Sequence, residues 1–206
     1  LAHGYGNPAS LIAFRSVSRV EGESDWDSVP ALSSKLRAAW NFRSAIGADS
    51  PETRTSFRWI FGEGDDFPGL ILDVYRVGDG PAKEAKTVVV LQAHTAGVDR
   101  LVPNLLLSIE EIAKPSAVVL RNDVGHRKNE GLSVEEPKVV LSGGAGPSPD
   151  GEWIRIRDER GGASLFKVDL LRGQKTGVCR DLSENIGQLL GLLAGSGFGG
   201  RETLNV

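Results

Sequence analysis

Thr87-Val88-Val89-Val90-Leu91-Gln92-Ala93 is the stretch on which the fold turns. A short apolar run led by β-branched residues favours an extended backbone over a helix. The next segment has the other periodicity. From Asp99 to Lys114 the apolar positions Leu101, Leu105, Ile109 and Ile112 recur at helical spacing and share one face. Ala117 to Arg121 then returns to strand character. Upstream, Phe57-Arg58-Trp59-Ile60-Phe61 and Leu70 to Tyr75 read as two more strands, joined by the turn-rich Gly62-Glu63-Gly64-Asp65-Asp66-Phe67-Pro68-Gly69. Three strands, a helix and a fourth strand predict a small α+β sandwich in which one helix covers a sheet.

The flanks extend this unit on both sides. Leu11 to Val17, preceded by His3-Gly4-Tyr5-Gly6-Asn7-Pro8, reads as the end of a small β domain within 1–22. Asp27-Ser28-Val29-Pro30 starts a helix, with proline in the first turn. Leu32, Leu36, Ala39, Trp40 and Arg43 form its stripe and Gly47 its stop, so 23–50 is expected to be a connecting helix. The α+β domain spans 51–145, with the Gly/Pro/Ser-rich Ser142 to Gly151 as a linker. In 146–206, Trp153 to Arg157 and Leu165 to Leu170 flank Glu159-Arg160-Gly161-Gly162 as a hairpin. Asp181 caps a last helix with Glu184 three residues on, striped by Leu182, Ile186, Leu189, Leu190 and Leu193.

Bulk properties narrow the classes. With 206 residues, 40% hydrophobic and 25% charged, the composition is that of a globular protein. A net charge of −3 is not that of a broadly basic nucleic-acid binder, although a local basic patch is compatible with it. The single cysteine, Cys179, leaves no internal disulfide and predicts a reducing compartment. The longest apolar run, Leu189 to Ala194, falls far short of the ~20 residues needed to span a bilayer, so no membrane partner is expected. The start at Leu1, the absence of methionine and the strand-like ending Thr203-Leu204-Asn205-Val206 are read as marks of a piece of a longer chain.

Three segments have the residue types that chemistry needs. The acidic glycine turn from Gly62 to Leu70 lacks the spacing of a calcium loop and reads as a structural turn. Arg121-Asn122-Asp123-Val124-Gly125-His126-Arg127-Lys128 concentrates Arg121, Arg127 and Lys128 behind a strand. Such a cluster suits phosphates. It equally suits a solvated loop with internal salt bridges, and composition leaves both readings open. Gly173-Gln174-Lys175-Thr176-Gly177 lacks the first glycine of a nucleotide-hydrolysing loop, but a glycine-flanked loop feeding a helix can host a polar ligand. Cys179 has no histidine near it in sequence and reads as inert.

Taken in order, the three segments resemble the bacterial-type ribosomal RNA large-subunit methyltransferases of the cytosine-C5 type. The resemblance rests on Phe61 to Tyr75 against F-G-E-G-D-x-x-P-G-L-x-x-D-x-Y. It continues with Arg121, Asp123, Arg127, Lys128, Glu130, Gly131 and Leu132, and with Gly173 to Gly177 followed by Asp181 and Asn185. It implies an α+β chain holding the end of a PUA-like domain, a central α+β domain, and a hairpin and helix leading into a truncated Rossmann-like methyltransferase domain. It implies S-adenosylmethionine as cofactor, with Lys175, Thr176, Gly177 and Asp181 at the edge of its pocket. Arg121, Arg127 and Lys128 become candidate RNA contacts, with ribosomal RNA as partner, a homodimer as the assembly and the cytoplasm (or a mitochondrion or plastid) as location. No catalytic residue is expected in this chain. The family's cysteine, which attacks C6 of the pyrimidine to activate C5, would lie beyond Val206. Val178 and Cys179 replace the aromatic pair after Gly177, and Ser183 replaces an arginine. These departures keep a second reading open, that of a catalytically degenerate relative acting as an RNA-binding or structural subunit.

Overall fold

The computed structural model describes residues 2–19, 21, 24–49, 55–78, 84–143, 146–148, 150–157 and 163–177. The turn at Glu159 to Gly162 and the helix expected from Asp181, with Cys179, Asp181, Ser183 and Asn185, lie outside them.

A five-stranded mixed sheet organises the chain, in the order β3 (Ser56–Phe61), β4 (Leu70–Val77), β5 (Lys86–Ala93), β6 (Ala117–Leu120), β7 (Lys138–Ser142). The pairs are antiparallel except β5 with β6, which run parallel. A parallel pair needs a crossover. Here it is α2 (Ala96–Ala113), capped by the Thr95 hydroxyl on the Val98 N–H. The unbroken apolar character of β5 has its reason in the two faces of the sheet. Val89, Leu91 and Ala93 pack with the helices, while Val88 and Val90 belong to a second core on the opposite side. A strand covered on both faces has no position for a polar alternation.

Two helices cover the first face, where the sequence predicted one. α1 (Val29–Ala45), expected as a connector, lies against α2 and β3. Leu32 and Leu36 of α1 share one core with Leu105 and Ile109 of α2 and with Trp59. Each of these side chains is fully buried, a transfer worth about 1.5–3 kcal/mol for an aliphatic residue of this size. The Trp59 indole N–H donates to the Leu36 carbonyl at 2.8 Å, so its polar edge is satisfied inside the core. The fifth strand, β7, which the sequence reading did not assign, is an edge strand whose Lys138 and Val139 are exposed.

The hairpin of β8 (Glu152–Arg157) and β9 (Ala163–Val168) forms as the sequence predicted. It covers part of the second face, where Ile154, Val168 and Leu170 meet Tyr75, Val77 and Val119. At the N-terminal end, β1 (His3–Gly6) and β2 (Phe14–Ser18) make a separate antiparallel ribbon. It is pinned by Tyr5, whose hydroxyl donates to the Pro68 carbonyl and lies 3.1 Å from Thr95 Oγ1. Gly97 permits this contact, because a Cβ there would sit 2.1 Å from the Tyr5 ring. A second pin is Glu130, a buried carboxylate that accepts from Ser10, from Asn7 at 3.1 Å and from Arg15 at 2.9 Å. Burial pushes Glu130 up, but these donors and the Ala96 N–H outweigh it and hold its carboxyl below the usual range.

Candidate functional site

Asp73 and Tyr75 of β4, Arg121 after β6 and the Gly173–Gly177 loop, up to about a hundred residues apart, meet on the second face of the sheet. Asp73 stands in the middle of β4, in a run that is otherwise apolar apart from Arg76, and is fully buried. A buried carboxylate is tolerable only when paired and hydrogen-bonded. Arg58 of β3 donates to both its oxygens at 3.0 Å. The Thr176 hydroxyl donates to Asp73 Oδ2 at 2.6 Å and lies 3.1 Å from the Tyr75 hydroxyl. Strand β4, which follows the glycine turn, therefore holds the third segment.

Arg121 supplies the second hold. It leaves the end of β6 nearly fully buried, donates to Asp123 through Nε and Nη2 at 2.9 Å each, and reaches the carbonyls of Gly173 at 2.8 Å and Leu170 at 3.3 Å. The forked guanidinium suits this mixed set of carboxylate and carbonyl acceptors. Desolvation raises the Asp123 pKa, but the hydrogen bond and charge of Arg121 prevail and keep it below its ordinary value.

Between these holds, residues 169–177 fold on themselves. Asp169 Oδ1 accepts the N–H groups of Leu171 at 2.9 Å and Arg172 at 2.8 Å, an Asx-type turn. Its carbonyl accepts the Gly173 N–H at 2.9 Å, and Gly177 N–H closes onto the Gln174 carbonyl at 2.9 Å. Both glycines are obligatory. A Cβ on Gly173 would lie 2.4 Å from the Asp169 carbonyl oxygen, and one on Gly177, where φ is +132°, would lie 2.7 Å from Leu170 Cδ2. Lys175 takes a left-handed backbone, φ 54°, and its side chain is exposed. The result is a fixed loop that buries a hydroxyl on one side and presents an ammonium on the other.

The structure sorts the predicted residues unevenly. Thr176 and Gly177 are integral to the loop, Lys175 sits on its outside, and Asp181 lies outside the described residues. The reading of Arg121, Arg127 and Lys128 as a surface cluster needs correcting. Arg127 is 1% exposed, donates to the carbonyls of Ala93 and, at 2.8 Å, Ser133, and pairs with Asp99 at 2.9 Å. Arg121 is engaged as described, so of the three only Lys128, on the 3-10 turn Gly125–Glu130, is exposed. The open alternative of internal salt bridges describes the two arginines. Sequence reasoning missed Arg58 as the partner of Asp73. The signal available was an aspartate inside an apolar strand opposite an arginine in the preceding one. Among the described residues no group of three or more His, Cys, Asp or Glu could hold a metal, and no helix is long and apolar enough to cross a membrane.

No protein-family model matches the chain. It is 32% identical over 131 residues to the ribosomal RNA large subunit methyltransferase I of Pseudoalteromonas atlantica, covering 64% of this chain and 28% of that protein. To the proteins of the same name from Alteromonas mediterranea and Escherichia coli it is 27% identical over 188 residues and 29% over 181, covering 81% and 88% of this chain. The chain spans 42% and 40% of those two proteins, so it corresponds to less than half of each relative. Among solved structures, a methyltransferase complexed with SAH superposes with a TM-score of 0.63 at 16% identity, over 92% of this chain and 42% of that one. A SAM-dependent methyltransferase from Streptococcus mutans gives 0.62 at 16% identity over the same shares. The fold is thus that of a part of these methyltransferases, and the sequence relatives are ribosomal RNA large subunit methyltransferases.

Proposed function

We propose that these residues belong to an S-adenosylmethionine-dependent methyltransferase acting on large-subunit ribosomal RNA, with 5-methylcytosine as the product. One observation supports this most: the Asp73–Thr176 and Arg121–Gly173 bonds tie together the three segments that resemble the family. The relatives' names support the enzyme over a non-catalytic subunit, and they are bacterial, which favours the cytoplasm over an organelle.

The Gly173–Gly177 loop is tightly packed on itself, and Lys175 on its outside carries the charge that suits a carboxylate. When bound, the cofactor supplies an electrophilic sulfonium methyl group. Lys175 and Gly177 hold the edge of its pocket, together with Asp181. Thr176 is a positioning residue, because its hydroxyl is committed to Asp73 and fixes the loop from beneath. On the RNA side, Lys128 meets phosphate while Arg121 and Arg127 brace the segment that carries it. The end of a PUA-like domain in the β1–β2 ribbon and a homodimeric assembly belong to the same reading. A calorimetric titration of the full-length protein with S-adenosylmethionine tests it. Saturable binding in roughly the micromolar to sub-millimolar range is expected, and no heat at millimolar cofactor would overturn it.

A further inference from the structure

A second concave site opens where β4 begins, at Ile71, which shares a sheet face with Asp73 two residues on. It is a cleft of about 290 Å³ between the β1–β2 ribbon, the glycine turn after β3 and the 3-10 turn Gly125–Glu130. Its lining includes Arg15, Phe61, Glu63, His94, His126 and Asn129. We propose that this cleft takes one unpaired base of an RNA strand, an inference that rests on the reading of the protein as acting on RNA.

Charge disfavours a phosphate first. The cleft's arginine, Arg15, is already paired with Glu130 at 2.9 Å and with Glu63 at 3.6 Å, so two carboxylates face one committed cation. The one arginine of the lining is thus already committed, and a phosphate would gain little by meeting it. What remains is a set of uncharged hydrogen-bonding groups and ring faces. Phe61 is 59% exposed at the cleft, with the Arg58 guanidinium 5.2 Å from its ring centroid. His94 and His126 pack edge to face, centroids 4.2 Å apart at 78°. Burial, reinforced by His126, Arg127 and Arg58, lowers the His94 pKa to about 4, so at neutral pH its ring is an uncharged donor and acceptor. Its Nε2 lies 3.3 Å from Gln92 Oε1. Gln92 is 5% exposed, and its Nε2 is a buried donor without an acceptor among the described residues. Gln92 pairs in register with Ile71, which lines the cleft, so the two side chains share this face. Gln92 is not itself among the residues that line the cleft, and its part is to hold the His94 ring from the same sheet face.

Aromatic faces and the uncharged His94 imidazole are what a flat heteroaromatic ring needs, and single-stranded RNA is read by stacking and edge contacts of this type. The volume sits at the lower limit of small-molecule pockets, enough for one ring system and not for a run of nucleotides. Both Phe61 and His126 are exposed, so removing either side chain leaves the core intact.

The test uses the full-length protein and a single-stranded oligoribonucleotide carrying one 2-aminopurine, with binding read by fluorescence. The wild type is expected to quench the probe. Phe61→Ala and His126→Ala are each expected to weaken binding by about 5–100-fold, the range of one lost base stack. The slope of affinity against salt should stay unchanged, because no phosphate contact is removed. S-adenosylmethionine affinity, measured by calorimetry, should not move. If the wild type methylates RNA while both variants bind the oligonucleotide within about two-fold of it, the cleft assignment alone is wrong. If the wild type binds no RNA, both the assignment and the reading beneath it fall.

Discussion

Replacing Thr176 by valine removes one hydroxyl and almost no volume, and it tests whether the Gly173–Gly177 loop is held from below. Thr176 is 1% exposed, and its hydroxyl lies 2.6 Å from Asp73 Oδ2 and 3.1 Å from the Tyr75 hydroxyl. A hydrogen bond to a charged partner is worth about 1.5–3 kcal/mol, and a buried acceptor stripped of a donor carries a desolvation penalty of similar size. Asp73 keeps the two 3.0 Å bonds from Arg58, so the loss stays below the ~3–5 kcal/mol of a broken buried ion pair. Thr176→Val should therefore destabilise the chain by about 2–3 kcal/mol, or ~4–12 °C in Tm for a chain of this size. Urea titration gives the first figure and a thermal melt the second. Thr176→Ser, which retains the hydroxyl, should recover most of the loss. A cycle with Tyr75→Phe should be non-additive by at least ~0.5 kcal/mol, because the two hydroxyls share one network. A loss below ~0.5 kcal/mol for the valine variant would show that the bond does not hold the loop, and the site description would fail with it.

Two further outcomes concern groups outside that loop. The folded pKa of His94, about 4, lies below the ordinary histidine value of 6.5, so between these limits the unfolded chain binds the extra proton. Its contribution is complete above pH 6.5 and is lost as pH falls toward 4, amounting to about 1–2 kcal/mol once solvent screening of a partly exposed ring is allowed for. Denaturant titrations at stepped pH should show this slope, and His94→Gln should flatten it. Glu130 titrates lower, so its contribution is present above the ordinary carboxylate range and disappears as pH falls through its depressed value. Glu130→Ala leaves Arg15 without its 2.9 Å partner and should free the ribbon, seen as loss of amide-exchange protection in β1 and β2 while β4 and β5 stay protected.

The central strands and α2 were readable because periodicity and β-branching report burial on one face or two, and here both layers exist. Val88 to Leu91 show it most clearly, alternating between two cores within one apolar run. β7 escaped the reading although Val139-Val140-Leu141 has strand character, because three apolar residues at a half-exposed edge are too few to show a period. The division of labour among the basic residues was hidden for a different reason. A buried arginine and a surface arginine look alike until their acceptors are placed, and the Leu170 and Gly173 carbonyls that engage Arg121 lie 49 and 52 residues away. Asp73 carried more information than composition drew from it. A carboxylate flanked by Leu70-Ile71-Leu72 and Val74-Tyr75 demands a buried partner, yet nothing local identifies that partner as Thr176, 103 residues on. The ordered segments resembling one family pointed to Arg121, Thr176 and Gly177, while Arg58 had no such signal. Only the fold showed that they touch.

The measurement that bears most directly on the proposed activity is transfer of a labelled methyl group from S-adenosylmethionine to large-subunit ribosomal RNA by the full-length protein, with the product nucleoside identified by mass spectrometry. The predicted result is label in RNA, recovered as 5-methylcytidine, and a reduced rate in Thr176→Val at temperatures where that variant is folded. Label recovered in another nucleoside would contradict the C5 assignment. RNA left unlabelled at saturating cofactor would contradict the methyltransferase itself.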